Sequence, residues 1–410
     1  MATILLIYLA NRHWLQFADD AAAVTSLESA NQTLLNAFSR WCSWSKMTIR
    51  VDKCHSFGIK VLGKGVKQVK PNLTINNQRI HPVEIDESFT YLGRHFDFKM
   101  TSEIRKAKLI TETTSIMDRI SQLPLHPRFK IQLYQRYYLS KISWDLTISD
   151  LSITWVKQAL DNIVNNYIRL WLDIPICGTL NLVTLSRSRY GLNITLPSTR
   201  FIQCQVSFRS GLKTSKNMDI VNVHNSTSSG KNIQVDTYTT AKQVIKEMRT
   251  MTEERIVTNL SSQSLVIKSI WASVLPSSTN SWYRVLESMP RSIYNFSIRY
   301  LNNTLPNRSN MVRWSAGTST LCNFCPNPQT LGHVVGACPA ALKDGRYTWR
   351  HNSILFNFAR VLTGIKNLKV YADLDGAEFP SPSVISGEEL RPDLIVAVSD
   401  KNTEEWAEIY

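Results

Sequence analysis

Four side chains between residues 322 and 338 set the narrowest condition on how this chain can fold. The stretch "CNFCPNPQTLGHVVGAC" places Cys322, Cys325, His333 and Cys338 as C-x2-C-x7-H-x4-C. Two cysteines separated by two residues can aim both sulfurs at one ion from a short knuckle. The histidine and the last cysteine can close a tetrahedron from the other side, which suits zinc in a closed, structural site. Pro326, Asn327, Pro328 and Gly332 supply the turns that so small a loop needs. A redox pair or a chance arrangement are the alternatives. A redox C-x-x-C, however, has no use for the histidine and third cysteine at these distances. The other cysteines are scattered, so no disulfide framework is expected and a reducing compartment is.

The remaining chain reads as mainly α with small β parts, an α+β class. Apolar residues at helical spacing predict helices over 27–47, 102–122, 127–147 and 151–172, then over 197–212, 240–256 and 280–302. Alternation predicts a strand through "MTIRVDKCHSFGI", a turn region at "VLGKGVKQVKPN", and short strands joined by "NN" and "HP" turns over 73–98. Strands are also expected at "LRPDLIVAV" and "WAEIY", with "SDKNTEE" turning between them. The Ser/Thr/Asn/Lys-rich stretch 213–240 reads as a linker. The expected divisions are 1–100, 101–212, 213–240, 241–320, 321–352 and 353–410. The longest apolar stretch, 2–10, is about half the ~20 residues a spanning helix needs, so no membrane association is expected.

Lys and Arg number 47 against 32 for Asp and Glu, a formal net charge of +15. That surplus points first to nucleic acid and second to an anionic surface, with a merely soluble basic protein as the bland alternative. The expected phosphate contacts are Arg128, Lys130, Arg136 and Lys141, which are interleaved with Tyr and Trp. Arg346 and Arg350 beside the cysteine cluster join them. Tyr347 and Trp349 there suit either base stacking or packing.

At 16–24 stands "QFADDAAAV". Two adjacent carboxylates, Asp19 and Asp20, repel one another. A solvated turn would tolerate them, and a hairpin holding metal ions would use them. Their downstream order decides what the motif resembles. "FADD" is followed by a helix ending in Trp41–Cys42, then "RVDKCHSF" with Lys53, then Tyr91–Leu92–Gly93, then a helical region. This order resembles the reverse transcriptases of non-LTR retrotransposons. The cysteine–histidine knuckle, "RYTWRHNSIL" and "RPDL" at 391–394 are similar to the branch with a C-terminal restriction-enzyme-like endonuclease.

That resemblance implies the end of a polymerase palm, a helical thumb, a zinc knuckle and the start of an α/β nuclease. It implies magnesium at Asp19, and less firmly at Asp20, for two-metal nucleotidyl transfer. It places Lys53 near the triphosphate, where an ordinary strand-end lysine is the other reading. Tyr91, Leu92 and Gly93 become a primer grip, and Asp393 the first nuclease carboxylate. Glu408 lies on a fitting strand, but position 410 is Tyr where that nuclease has Lys. RNA template and DNA target become the partners, in an intracellular, nuclear setting. Only 18 residues precede Asp19, too few for that family's upstream catalytic aspartate and fingers. The expectation is therefore an internal fragment of an RNA-directed DNA polymerase polyprotein of a transposable element, incompetent alone. A second expectation is a non-enzymatic basic zinc-knuckle protein, a degenerate or domesticated copy, that binds RNA or DNA.

Overall fold

The strongest helical periodicity, over 102–172, becomes the packed centre of the first of two units. The computed structural model describes residues 14–63, 65–85, 87–97, 102–226, 240–263, 276–374, 393–399 and 406–409. One unit ends at Asn302 and the other begins at Asn303. The fold is mostly helical with small sheets. The apolar stretch 2–10, most of the 227–240 part of the expected linker, Arg391, Pro392 and residues 400–405 of the "SDKNTEE" turn lie outside the described residues.

The first unit opens on a hairpin, β1 (Trp14–Phe17) and β2 (Asp20–Ala23), with Phe17 opposite Asp20. Trp14 packs on Phe38 of α1 (Glu28–Trp44), ring centroids 4.6 Å apart, which seats the hairpin on that helix. Then come one 3-10 turn, Val51–Lys53, and a set of short strands: β3 (His55–Ser56), β4 (Gly58–Leu62), β5 (Gly65–Val69), β6 (Thr74–Ile75), β7 (Gln78–Arg79), β8 (His81–Pro82), β9 (Ser88–Tyr91) and β10 (Arg94–Asp97). Leu73, Ile75 and Ile80 form their small core against Leu35 of α1. Gln32 of α1 both donates to and accepts from the Thr74 backbone, so its amide stands in for a neighbouring strand.

Two sequence expectations change here. "VLGKGVKQV" is itself a hairpin, β4 with β5, because Gly63 at φ +56° supplies the reversal between alternating flanks. "HP" is no turn but strand β8, which pairs parallel with β3. The "NN" turn stands as expected, with Asn76 and Asn77 both at positive φ.

The helices follow at nearly the expected bounds: α2 (Glu103–Gln122), α3 (Pro127–Leu133), α4 (Leu139–Ile148), α5 (Ile153–Val156) and α6 (Asn162–Leu172). A π turn at Tyr134–Tyr138 joins α3 to α4, and another at Lys157–Asp161 joins α5 to α6. Tyr134, Tyr138, Ile142 and Leu146 are fully buried at a spacing of four. Each such side chain contributes about 1.5–3 kcal/mol by leaving water. Leu109, Ile116 and Met117 face them from α2, and Leu160, Val164 and Ile168 from the α5–α6 run. Asp161, buried, accepts from the backbone N–H of Ser198 at 2.8 Å. It thereby satisfies an orphan donor at the start of α7 (Pro197–Lys213). The expected linker contains a helix, α8 (Met218–Ser226). α9 (Ala241–Gln263), α10 (Pro276–Ser288) and α11 (Arg291–Leu301) complete the unit, with Tyr294 and Ile298 of α11 in the main core.

The second unit starts with α12 (Arg308–Arg313), capped by the Asn307 side chain at the Asn310 N–H. The cysteine–histidine loop follows, then α13 (Pro339–Lys343) and α14 (Arg346–Thr363). An antiparallel sheet in the order β11–β12–β13 ends the chain: Leu368–Ala372, Leu394–Ser399 and Trp406–Ile409. Val370 and Ala372 alternate with Ile395 and Ala397 as its buried face, and α14 packs beside β11. Helix α14 and strand β11 were not expected, because "RYTWRHN" is polar enough to read as a binding loop.

Candidate nucleic-acid interface and metal centre

Asp19 sits in the two-residue turn between β1 and β2, and Asp20 is the first residue of β2. Ala18 takes φ +52°, which turns the chain tightly enough to leave both carboxylates exposed. Tyr91, partly buried, lies within electrostatic reach. Burial first and the Asp20 charge second raise its phenol above the ordinary range. Tyr91 ends β9, and Leu92 (φ +48°) and Gly93 (φ +76°) form the two-residue turn to β10. The indole N–H of Trp144, on α4, donates to the Leu92 carbonyl at 3.1 Å. A Cβ at Gly93 would meet that same indole nitrogen at 2.9 Å. The Tyr91–Gly93 turn is thus joined to the helical bundle through Trp144, and the Asp20 charge lies within electrostatic reach of Tyr91. Lys53 is exposed on the 3-10 turn and not on a strand. Its neighbours Arg50 and Asp52 form a two-pronged ion pair that closes the turn.

The bundle presents Phe129, Leu133, Tyr137, Lys141 and Trp144 to solvent along α3 and α4. Phe129, Leu133, Tyr137 and Lys141 recur at every fourth residue, which would drift around a regular α-helix, and Trp144 follows three residues on. The π turn between the two helices, with more residues per turn, keeps them in line. Arg136 is exposed beside this row, as is Lys141 within it. Arg128 stacks on Phe129, 4.5 Å from the ring centre. Lys130 instead points inward. Its Nζ donates to the Ser121 carbonyl at 2.6 Å, and burial, then Arg291, lowers its pKa. Sequence reasoning did not single out Phe129, Tyr137 and Trp144. The available signal was a recurrence of aromatics about every two turns, at 129, 137 and 144.

In the second unit the Sγ atoms of Cys322, Cys325 and Cys338 and a ring nitrogen of His333 all lie within 4.8 Å of one another. Cys325 Sγ is 3.3 Å from His333 Nε2. A tetrahedral ion with Zn–S bonds of about 2.3 Å would space its ligands roughly 3.5–4 Å apart, so the donor set fits zinc in size and chemistry. The backbone N–H of Phe324 leads in pulling the Cys322 thiol down to about 6, while burial raises that of Cys325. The loop is shaped by a Leu321–Pro328 bridge and by the Cys322 N–H donating to the Asn327 carbonyl. His333 begins a π turn, His333–Ala337, that swings Cys338 back to the cluster.

Arg346 and Arg350 lie on the first turns of α14. Arg346 stacks over Phe324, 4.8 Å from its centre, and sits 3.6 Å from Asp344. Arg350 donates to the Val335 carbonyl and lies over Tyr347. Tyr347 is a packing residue: its hydroxyl accepts from the Cys338 N–H at 3.0 Å and donates to the His333 carbonyl at 3.2 Å. Trp349 is exposed. Asp393 immediately precedes β12, and its Oδ2 is 3.2 Å from Nε2 of His351, on α14. Hydrogen bonds that the imidazole donates to Asn352 Oδ1 and then to Asp393 raise the His351 pKa. The backbone of Glu408 lies opposite Ala397 on β13. Among the described residues, neither the Asp19–Asp20 hairpin nor Asp393 belongs to a group of three metal-ligating side chains; only the cysteine–histidine cluster does.

The sequence matches no family model. Over 354 residues, 84% of the chain, it is 20% identical to a retrovirus-related Pol polyprotein from a type-2 retrotransposable element of Drosophila melanogaster. The chain is related to a retrotransposon polyprotein. It spans 32% of that polyprotein's length. The cysteine–histidine group could hold zinc. No described helix is long and apolar enough to cross a membrane.

Proposed function

We propose that this chain is the palm-end, thumb, knuckle and nuclease-start portion of a retrotransposon polyprotein that copies RNA into DNA at a target site. In this reading the branch is the one with a restriction-enzyme-like endonuclease. The observation that carries the proposal is the bond from Trp144, in the exposed row on α3 and α4, to the Leu92 carbonyl of the Tyr91–Leu92–Gly93 turn, with the Asp20 charge acting on Tyr91. A nucleic-acid strand gripped between that row and the Tyr91 turn would lead its end toward the two carboxylates. Magnesium, when bound in the parent enzyme, would supply charge for a developing 3′-oxyanion and a leaving pyrophosphate. Here Asp19 and Asp20 would hold part of the metal pair. In this reading the chain alone binds nucleic acid without completing nucleotidyl transfer, since two adjacent carboxylates hold only part of a metal pair. Arg128, Arg136 and Lys141 offer phosphate contacts. Phe129, Tyr137 and Trp144 offer flat apolar surface to a sugar or base. Asp393 and His351 form the start of the nuclease acid site. The setting is nuclear, where a DNA target lies.

The test is binding of a labelled RNA–DNA duplex by fluorescence anisotropy across a salt series. Affinity falls as salt rises, and Arg136→Gln with Lys141→Gln lowers the log–log slope by about two, one per lost phosphate contact. Salt-independent affinity, or a slope unmoved by both substitutions, would refute the thumb surface as the interface.

A further inference from the structure

The turn that carries His333 and Cys338 is gripped from outside by one helix face. Tyr347 reaches it at two points, accepting from the Cys338 N–H and donating to the His333 carbonyl. Arg350, three residues further along α14, takes a third point, the Val335 carbonyl, and lies 5.1 Å over the Tyr347 ring. These bonds satisfy the backbone of a π turn whose groups a regular helix would have paired internally. The next residue, His351, points from the same helical turns to Asp393, 3.2 Å away. Two metal ligands and a candidate nuclease acid are therefore linked through a single stretch of α14, residues 346–352.

We propose that Tyr347 and Arg350 are positioning residues for the knuckle metal, and that through them metal binding fixes the first turns of α14 and holds His351 against Asp393. The inference rests on reading the cysteine–histidine cluster as a zinc site. Physically, the ion clamps Cys338 and His333 from inside the loop while Tyr347 holds the same two residues' backbone from outside. Without the ion, the loop has too little apolar core to keep its turn. The strap would then lose its anchor, and the early α14 amides would open to solvent. Outer partners of this kind set ligand orientation and typically account for 10–100-fold in metal affinity.

The test uses the full chain and zinc itself, in competition with a chromophoric chelator, followed by hydrogen exchange. Tyr347→Phe keeps the ring and removes both hydroxyl bonds. It should weaken zinc binding about 10–100-fold, whereas Thr348→Ala, on the exposed side of the same turn, should leave it unchanged. Stripping zinc should speed exchange of the amides in 346–352 while those around the buried Leu355 remain protected. Equal zinc affinity in wild type and Tyr347→Phe would overturn the strap but leave the metal site standing. Unchanged exchange over 346–352 on zinc removal would overturn the coupling to Asp393. A wild-type chain that binds no zinc would overturn both this inference and the reading of the cluster beneath it.

Discussion

Replacing Asp145 with Asn should loosen the helices that carry the candidate interface. Asp145, on α4 directly after Trp144, receives two bonds from Arg105 of α2, Nε to Oδ1 and Nη2 to Oδ2, both at 2.5 Å. The two side chains are only 14% and 8% exposed. Arg105 therefore cannot recover its lost partner from water. Removing one member of a buried ion pair costs about 3–5 kcal/mol, because the other charge stays behind without compensation. Glu112 stands 3.4 Å from Arg105 and is 28% exposed, so it takes up part of the orphaned charge. The expected loss is about 2–3 kcal/mol. Replacing both partners, Arg105→Met with Asp145→Leu, should recover most of it, since no charge is then left buried. A chain of two units does not unfold in one step, so the assay is urea-dependent hydrogen exchange of the α2 and α4 amides. The reasoning fails if Asp145→Asn costs less than about 0.5 kcal/mol, or if the double variant is as weak as the single one.

Gly93→Ala should cost about 1–2 kcal/mol, because Gly93 holds φ +76° and a methyl there presses on the Trp144 indole nitrogen. Loss of the Trp144 bond to Leu92 would show as altered tryptophan emission, and an unaltered spectrum with full stability would count against that docking. His126 should make the bundle acid-sensitive. Its Nδ1 accepts from the Arg128 N–H at the start of α3, and burial, then Arg128, lowers its pKa below the ordinary 6.5. A lowered histidine pKa means the unfolded chain takes the proton first. The stabilisation is therefore complete above 6.5 and is lost as pH falls through the folded value. Melting from about pH 7.5 to about pH 5.5 should track this loss. His126→Asn, which keeps an acceptor for the cap without titrating, should flatten it.

The helices of 102–172, the acidic hairpin and the four residues that could hold zinc were legible in the amino-acid order alone. Each depends on local spacing: apolar residues on one helical face, two residues to turn a hairpin, two residues between thiols. The order of motifs also carried the relationship to a retrotransposon polyprotein. What tertiary structure decided lies in residues that are locally ambiguous. Lys130 and Arg136 are alike as neighbours in a basic, aromatic run, yet one is half-buried and donates to the Ser121 carbonyl while the other faces solvent. Tyr347 suits stacking or packing equally in the sequence, and the return of Cys338 to the cluster decides it by bringing a backbone N–H to its hydroxyl. Trp144 acquires a role because a turn fifty-two residues earlier lifts the Leu92 carbonyl to its indole. A side chain's type and its period along the chain define which face it occupies. What occupies the facing position is set by chain segments far off in sequence, and that partner determines whether a charge or a ring is spent inside the fold or left to meet a ligand.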